Sequence, residues 1–159
     1  MMQNTLTHTQ EIVRNEKFVQ ASILIGTFGL VTCFMGLYPG ITGAEPQSGI
    51  GVLQILAILS GMSFMILGAL IFVKVNFYPQ VSVNLAQQIA LRLCLTGILF
   101  AAASGFADLL GYGSNPPGGP EEIPILGPYQ AAGMVFGYFV AAVGVLMYAI
   151  AGPSEESTN

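Results

Sequence analysis

Four uninterrupted apolar blocks, roughly residues 18–38, 51–73, 86–109 and 128–151, leave this chain few ways to fold. Each is near the 20 residues or so that an α-helix needs to cross about 30 Å of hydrocarbon. In hydrocarbon a spanning segment must satisfy its own backbone N–H and C=O groups, which a helix does and an isolated strand does not. The expected fold is an all-α membrane protein with four transmembrane helices in an up-down bundle. Only 8% of the residues are charged and mean hydropathy is +0.71, which excludes a soluble domain. The parts outside the blocks are too short to enclose a core, so residues 1–159 read as a single integral membrane domain.

The basic residues orient the helices. Arg14 and Lys17 precede the first block, Lys74 closes the second and Arg92 lies in the first turns of the third, whereas the loops at the other end contain no Lys or Arg. Positive residues collect on the cytoplasmic side, so both termini are expected there. The first apolar run exceeds the 7 to 15 residues typical of a signal-peptide core, and the candidate cleavage stretch Thr42-Gly43-Ala44 lies well beyond it, which favours an uncleaved anchor. The net charge of -4 is split between the two sides, and the few cations are dispersed. Neither a nucleic-acid footprint nor a polybasic lipid site is present.

Helix contacts are legible as small residues at three- and four-residue spacing, because close backbone approach drives association where the hydrophobic effect cannot. The first helix carries Ser22, Gly26, Gly29, Cys33 and Gly36. The third carries Cys94, Gly97, Ala101 and Ser104, and the fourth Gly133, Gly137, Ala141 and Gly144. The second is poorer, with Ala57, Gly61 and Gly68, and its Phe64, Met65 and Phe72 are expected to face lipid or a partner subunit. Cys33 and Cys94 differ in expected height by roughly 10 Å, too far for a disulfide, so both read as small packing residues.

Three polar residues are functional candidates. Asp108 follows in phase with the stripe of the third helix, about a turn from the outer surface. Arg92 is 16 residues earlier, some 24 Å along the axis, so the two cannot pair within the helix. Arg92 is expected to reach inner headgroups or a carboxylate of a neighbouring subunit. Tyr138 lies near the middle of the fourth helix, where its hydroxyl needs a partner, either a backbone carbonyl or a bound cofactor. Tyr38, Tyr112 and Tyr129 at one end and Phe18, Phe77, Tyr78 and Tyr148 at the other form an interfacial aromatic belt.

The inner connection is rich in amides, Asn76, Gln80, Asn84, Gln87 and Gln88, and turns into the third helix. The outer loop 110–127 is too rich in Pro and Gly for helix or paired strand, and its Ile123, Ile125 and Leu126 are suited to a membrane or protein surface. The first outer loop, 38–46, has a similar flavour, which permits a hairpin duplication.

The only histidine, His8, precedes the apolar blocks. The spans therefore hold no pair for haem ligation and no His-based metal site. There is no CxxC and no glycine-rich phosphate cradle followed by Lys, and Ser60, Ser63 and Ser104 have no nearby base. The expected function is a non-catalytic structural or accessory subunit of a larger integral membrane complex, a bioenergetic complex being one candidate, in a plasma membrane or an energy-transducing internal membrane. Its partners would be membrane lipids and other integral membrane subunits or further copies of the chain, with no nucleic acid. No cofactor is identifiable; a bound lipid, quinone or pigment stays open. The alternative is a small oligomeric transporter or channel with Asp108 near its outer mouth.

Single cysteines at Ser114 and Ser157, in a background lacking Cys33 and Cys94, should react with an impermeant thiol reagent from opposite sides. Labelling of Ser157→Cys from outside intact cells would reverse the orientation.

Overall fold

The computed structural model describes residues 2–43, 50–79, 81–112 and 126–152, with the backbone alone for residues 2–14 and 42. It is all-helical, with α1 Met2–Leu37, α2 Val52–Phe77, α3 Leu85–Gly105 and α4 Pro128–Ile150, plus one 3-10 turn at Pro39–Thr42. All four α-helices are long and apolar enough to cross a membrane, α1 through its Asn15–Leu37 part. The chain thus has the make-up of a multi-pass integral membrane protein.

Three helices begin with the same device. A glutamine in the first turn folds back so that its Oε1 accepts a hydrogen bond from the backbone N–H three residues earlier. The pairs are Gly51 with Gln54 at 2.8 Å, Asn84 with Gln87 at 3.3 Å and Gly127 with Gln130 at 2.7 Å. At α3 the Asn84 Oδ1 also accepts from the Gln87 N–H at 2.7 Å, completing a reciprocal cap. Such caps satisfy donors that a helix start leaves without partners.

Three boundaries differ from the sequence expectation, α2 running on to Phe77 where its block was expected to end at residue 73. α1 reaches back to Met2, so the polar segment before the first span is helical. α3 stops at Gly105 instead of continuing to residue 109, and residues 106–111 form turns closed by Gly111 at φ 82°. The apolar run continues through Leu109 and Leu110, but the backbone bonds there become those of turns, such as Gly111 N–H to Asp108 O at 3.1 Å. Hydropathy measures the apolar run and is blind to where the helical bonding ends.

The helices pack as two hairpins. A methyl group built on Gly68 would strike the backbone of Ser22 and Gly26, one on Gly29 would meet Gly61 O at 2.6 Å, and one on Gly36 would meet Ala57 and Ile58. Positions rise along α1 as they fall along α2, so the pair is antiparallel. α3 and α4 pack likewise: Gly97 meets Ala141 N at 2.5 Å, Gly137 meets Ala101 N at 2.6 Å and Gly144 meets Cys94 N at 2.6 Å.

The two hairpins share one contact register. Gly29 faces Gly61 and Met65 as Gly97 faces Gly137 and Ala141, and Gly68 faces Ser22 and Gly26 as Gly144 faces Ala90 and Cys94. Each α1 residue has its counterpart 68 positions later on α3, and each α2 residue 76 positions later on α4. The Gly51–Gln54 cap maps onto Gly127–Gln130 by the same interval. The two hairpins thus repeat one pattern of contacts, consistent with the duplication that the loops permit.

The hairpins meet chiefly through α2 and α4, with a smaller contact between α2 and α3. Among the described residues α1 has no substantial packing against α3 or α4. The order across the molecule is α1, α2, α4, α3, which is more open than a square bundle in which each helix touches its chain neighbours. Two apolar cores fill the junction, one around Ile55, Leu59, Ala101, Met134 and Tyr138, the other around Leu70, Ala90, Cys94, Ala141 and Tyr148.

Gly137→Ala should destabilise the protein by roughly 1 to 3 kcal/mol, because the added methyl is driven into backbone that cannot yield cheaply. Gly26→Ala should be neutral or slightly stabilising, since its methyl would meet nothing within 4 Å. Thermal unfolding of both variants in one detergent checks the contrast, and equal behaviour would refute the inferred seams.

Candidate functional site

The small-residue faces lie within the chain's own hairpins. Ser22, Gly29, Cys33 and Gly36 line the α1/α2 seam, and Cys94, Gly97, Ala101 and Ser104 meet Gly133, Gly137, Ala141 and Gly144 across the α3/α4 seam. Gly26 contributes its backbone to the approach of Gly68. Ser22 is only 1% exposed, and its hydroxyl donates to Val19 O at 2.7 Å, so a polar group enters the seam already satisfied. Gly133 faces the Ser104 hydroxyl. Cys33 and Cys94 are free, buried thiols on different hairpins.

α2, the helix with the poorest stripe, supplies the complementary surface. Gly61 and Gly68, seven residues apart, are both buried against α1. Between them Met65 and Phe64 flank Gly29. Phe64 is exposed on its outer side and tilts against Phe28 of α1 with ring centroids 5.8 Å apart. Met65 and Phe72 are half-buried along a shallow groove over the same seam. A stripe thin in small residues therefore belongs to a packed face, because one glycine every two turns is enough when the partner helix carries the rest.

Tyr138 is the polar centre of the junction between the hairpins. Its side chain is 6% exposed. Its hydroxyl donates to Leu59 O of α2 at 2.7 Å and lies 3.2 Å from Ser63 Oγ, which can donate to the phenolic oxygen. Of the two partners considered for this hydroxyl, the structure supplies a backbone carbonyl. Beside this bridge Gly105, at the end of α3, leaves room for Leu59 Cδ1, which packs 2.9 Å from the position its Cβ would occupy.

A second polar junction ties the ends of α2, α3 and α4 together. The Tyr78 hydroxyl donates to Ala149 O at 2.5 Å, and Asn84 Nδ2 donates to Ala151 O. Both acceptors belong to the last carbonyls of α4, which have no partner within their own helix. Tyr148 is 3% exposed and packs edge-on against Tyr78 at 6.5 Å. Tyr148 thus belongs to the core instead of the aromatic belt expected of it, and Tyr78 is a latch. Two of the amides in this connection, Asn84 and Gln87, serve the α3 cap, while Lys74 Nζ donates to Val81 O at 2.7 Å and pins the turn. Sequence reasoning missed this junction because its acceptors are backbone atoms, which no side-chain pattern marks.

The two charged candidates lie apart from it. Asp108 stands in the turns beyond Gly105, half-buried, and not on α3, so its phase along the helix no longer argues for its direction. Arg92 is exposed on the face of α3 turned away from α4, between the exposed Gln88 and Thr96, and its carbonyl accepts from Thr96 Oγ1 at 2.8 Å. Ile123 and Ile125 lie outside the described residues, while Leu126 packs on the core around Tyr138.

Tyr138→Phe should lower stability by about 1 kcal/mol, the usual net worth of one such bond in a helix bundle. Ser63→Ala should cost less, since the Tyr138–Leu59 bond survives it. A double-mutant cycle on thermal unfolding checks the coupling, and an unchanged Tyr138→Phe protein would remove this bridge from the account. No protein-family model, curated protein or solved structure matches this chain.

Proposed function

We propose that this chain is a non-catalytic structural or accessory subunit of a larger integral membrane complex. In this reading it folds as an up-down helical bundle with both termini cytoplasmic, in a plasma membrane or an energy-transducing internal membrane. The observation that carries the proposal is the use of polar groups at the helix junctions. The hydroxyls of Tyr138, Tyr78 and Ser22 and the amide of Asn84 all close on backbone carbonyls of the chain itself. A group that reacts or couples transport must exchange partners in every cycle, whereas these groups hold helices at fixed positions. The position of α1 supports a role in assembly. It leans on α2 alone and leaves Leu24, Phe28 and Phe34 exposed along its flank, a face on which neighbouring subunits can pack. The orientation is supported by Lys17, Lys74 and Arg92, which lie near the start of the α1 span, the end of α2 and the start of α3, ends that share one side of the hairpins.

Purification from the native membrane in mild detergent, followed by mass spectrometry of the intact assembly, should yield a constant set of membrane subunits in fixed stoichiometry. Asp108→Leu should disturb that assembly more than Asp108→Asn, which keeps the size and much of the hydrogen-bonding capacity. The proposal fails if the chain purifies alone and mediates a pH-dependent cation flux in vesicles that Asp108→Asn removes while assembly stays intact.

A further inference from the structure

The shared register of the two hairpins places two related clefts beside the α2/α4 junction, and among the described residues one is filled and one is open. On the first side, α3 closes against the junction. Ala101 is wholly buried, and a methyl on Gly105 would touch Leu59 Cδ1 at 2.9 Å, Met134 Sδ at 3.1 Å and Ile55 Cγ2 at 3.4 Å. By the 68- and 76-residue correspondence, the second side is built from Cys33 and Leu37 of α1, Ile58 and Met62 of α2, and Ala131 and Val135 of α4. Those six residues all line one apolar cleft of about 570 Å³.

The sequence differences between the two sides explain why one is open. Gly105, which lets α3 close on the junction, is replaced by Leu37, a large side chain that lines the cleft. Ile55 and Leu59 are replaced by Ala131 and Val135, which fill less of the space. Tyr138, whose hydroxyl joins the hairpins on the closed side, is replaced by Met62, which offers no donor. The cleft is therefore a consequence of the packing and not a chance gap in it. On the closed side, the equivalent volume is taken by aliphatic side chains of the protein itself.

We infer that this cleft holds the acyl chain of a membrane phospholipid, laid lengthwise between α1 and α4. Hydrocarbon matches what fills the related side, and the polar lining is nearly nil: the Tyr138 hydroxyl points into its bonds with Leu59 and Ser63. Among the described lining residues the other polar group is the Cys33 thiol, too weak a donor to hold the carbonyl of a quinone or the polar end of a pigment. Its α4 lining runs from Ala131 to Ala142, about 16 Å at helical rise, with Ile50 and Leu126 at the end beside the starts of α2 and α4, and it stops short of the other ends of those helices. That length suits a chain entering from one leaflet, with its headgroup at the level of Leu126 and Ile50. A partner helix crossing the whole bilayer would need a longer face with small residues, and Leu37, Met62 and Phe139 are large. This inference is independent of the accessory-subunit reading.

The test uses the full chain in phosphatidylcholine vesicles containing a phosphatidylcholine with a photoactivatable diazirine at the middle of one acyl chain. Adducts should concentrate several-fold on residues 131–142 and 58–66 relative to the equally lipid-facing Leu99 and Leu146. Filling the cleft with Ala131→Phe should remove that excess. The triple change Leu37→Gly, Ala131→Ile and Val135→Leu, which transplants the residues of the closed side, should remove it too, and thermal unfolding would verify that each variant is folded. Adducts spread evenly over the exposed helix faces, or an excess that survives both folded variants, would overturn the inference. So would a quinone, pigment or partner helix recovered from the cleft in the native protein in place of a phospholipid.

Discussion

Backbone-to-backbone approach at a few glycines is the constraint on which the rest of this structure depends. In a lipid environment apolar side chains gain little by leaving hydrocarbon for each other, so the helices are held by the contacts that close approach allows. Gly61 and Gly68 on α2, and Gly137 and Gly144 on α4, bring each helix within van der Waals reach of its partner's backbone. Once those seams are set, the hairpins are rigid ladders with fixed register. Everything else, including the Tyr138 bridge and the latch at Ala149 and Ala151, is placed by them.

The repetition of that register is informative about what each position must do. Gly29 and Gly97 stand at corresponding positions and are both buried against backbone, so glycine is required twice. Gly26 corresponds to Cys94, and the space around Gly26 is open to a side chain, so the hairpins differ where packing allows it. Serine at 22 and alanine at 90 fill the same role with similar volume. The two hairpins thus agree at the points of closest contact and differ at the intervening positions.

The sequence made the helices legible because hydrocarbon imposes a length and a composition that few other folds require. The small-residue stripes on α1, α3 and α4 were equally plain, since spacing of three and four marks one helix face. Which helix each stripe meets was not legible, because Gly137 reads the same whether it faces Ala101 of its own chain or a helix of another subunit. The end of α3 at Gly105 escaped detection because hydropathy continues past it. Tyr138 stood out as a buried hydroxyl that needed a partner, but Leu59 O could not be named from the sequence, since every residue carries a carbonyl and only the fold says which one is near. Arg92 and Asp108 stood out as charges; Arg92 lies on the exposed face of α3 turned away from α4, and Asp108 in the turns beyond the end of that helix.

The difference between Tyr138 and Met62 shows how a pseudo-symmetric fold acquires a direction. With two identical hairpins, α3 on one side and α1 on the other would close equally against the α2/α4 junction. Gly105 admits Leu59 and the tyrosine hydroxyl then fastens α4 to α2, so that side becomes the core. Leu37 and Met62 do neither, and α1 is left bound along a single seam. Stability is therefore unevenly distributed: α2, α3 and α4 share two apolar cores and two polar junctions, whereas α1, among the described residues, is held chiefly by its seam with α2. A helix attached along one seam is the element that most needs a neighbour on its free side, and anything that bound there in the folded state would stabilise the whole chain by holding α1 in place.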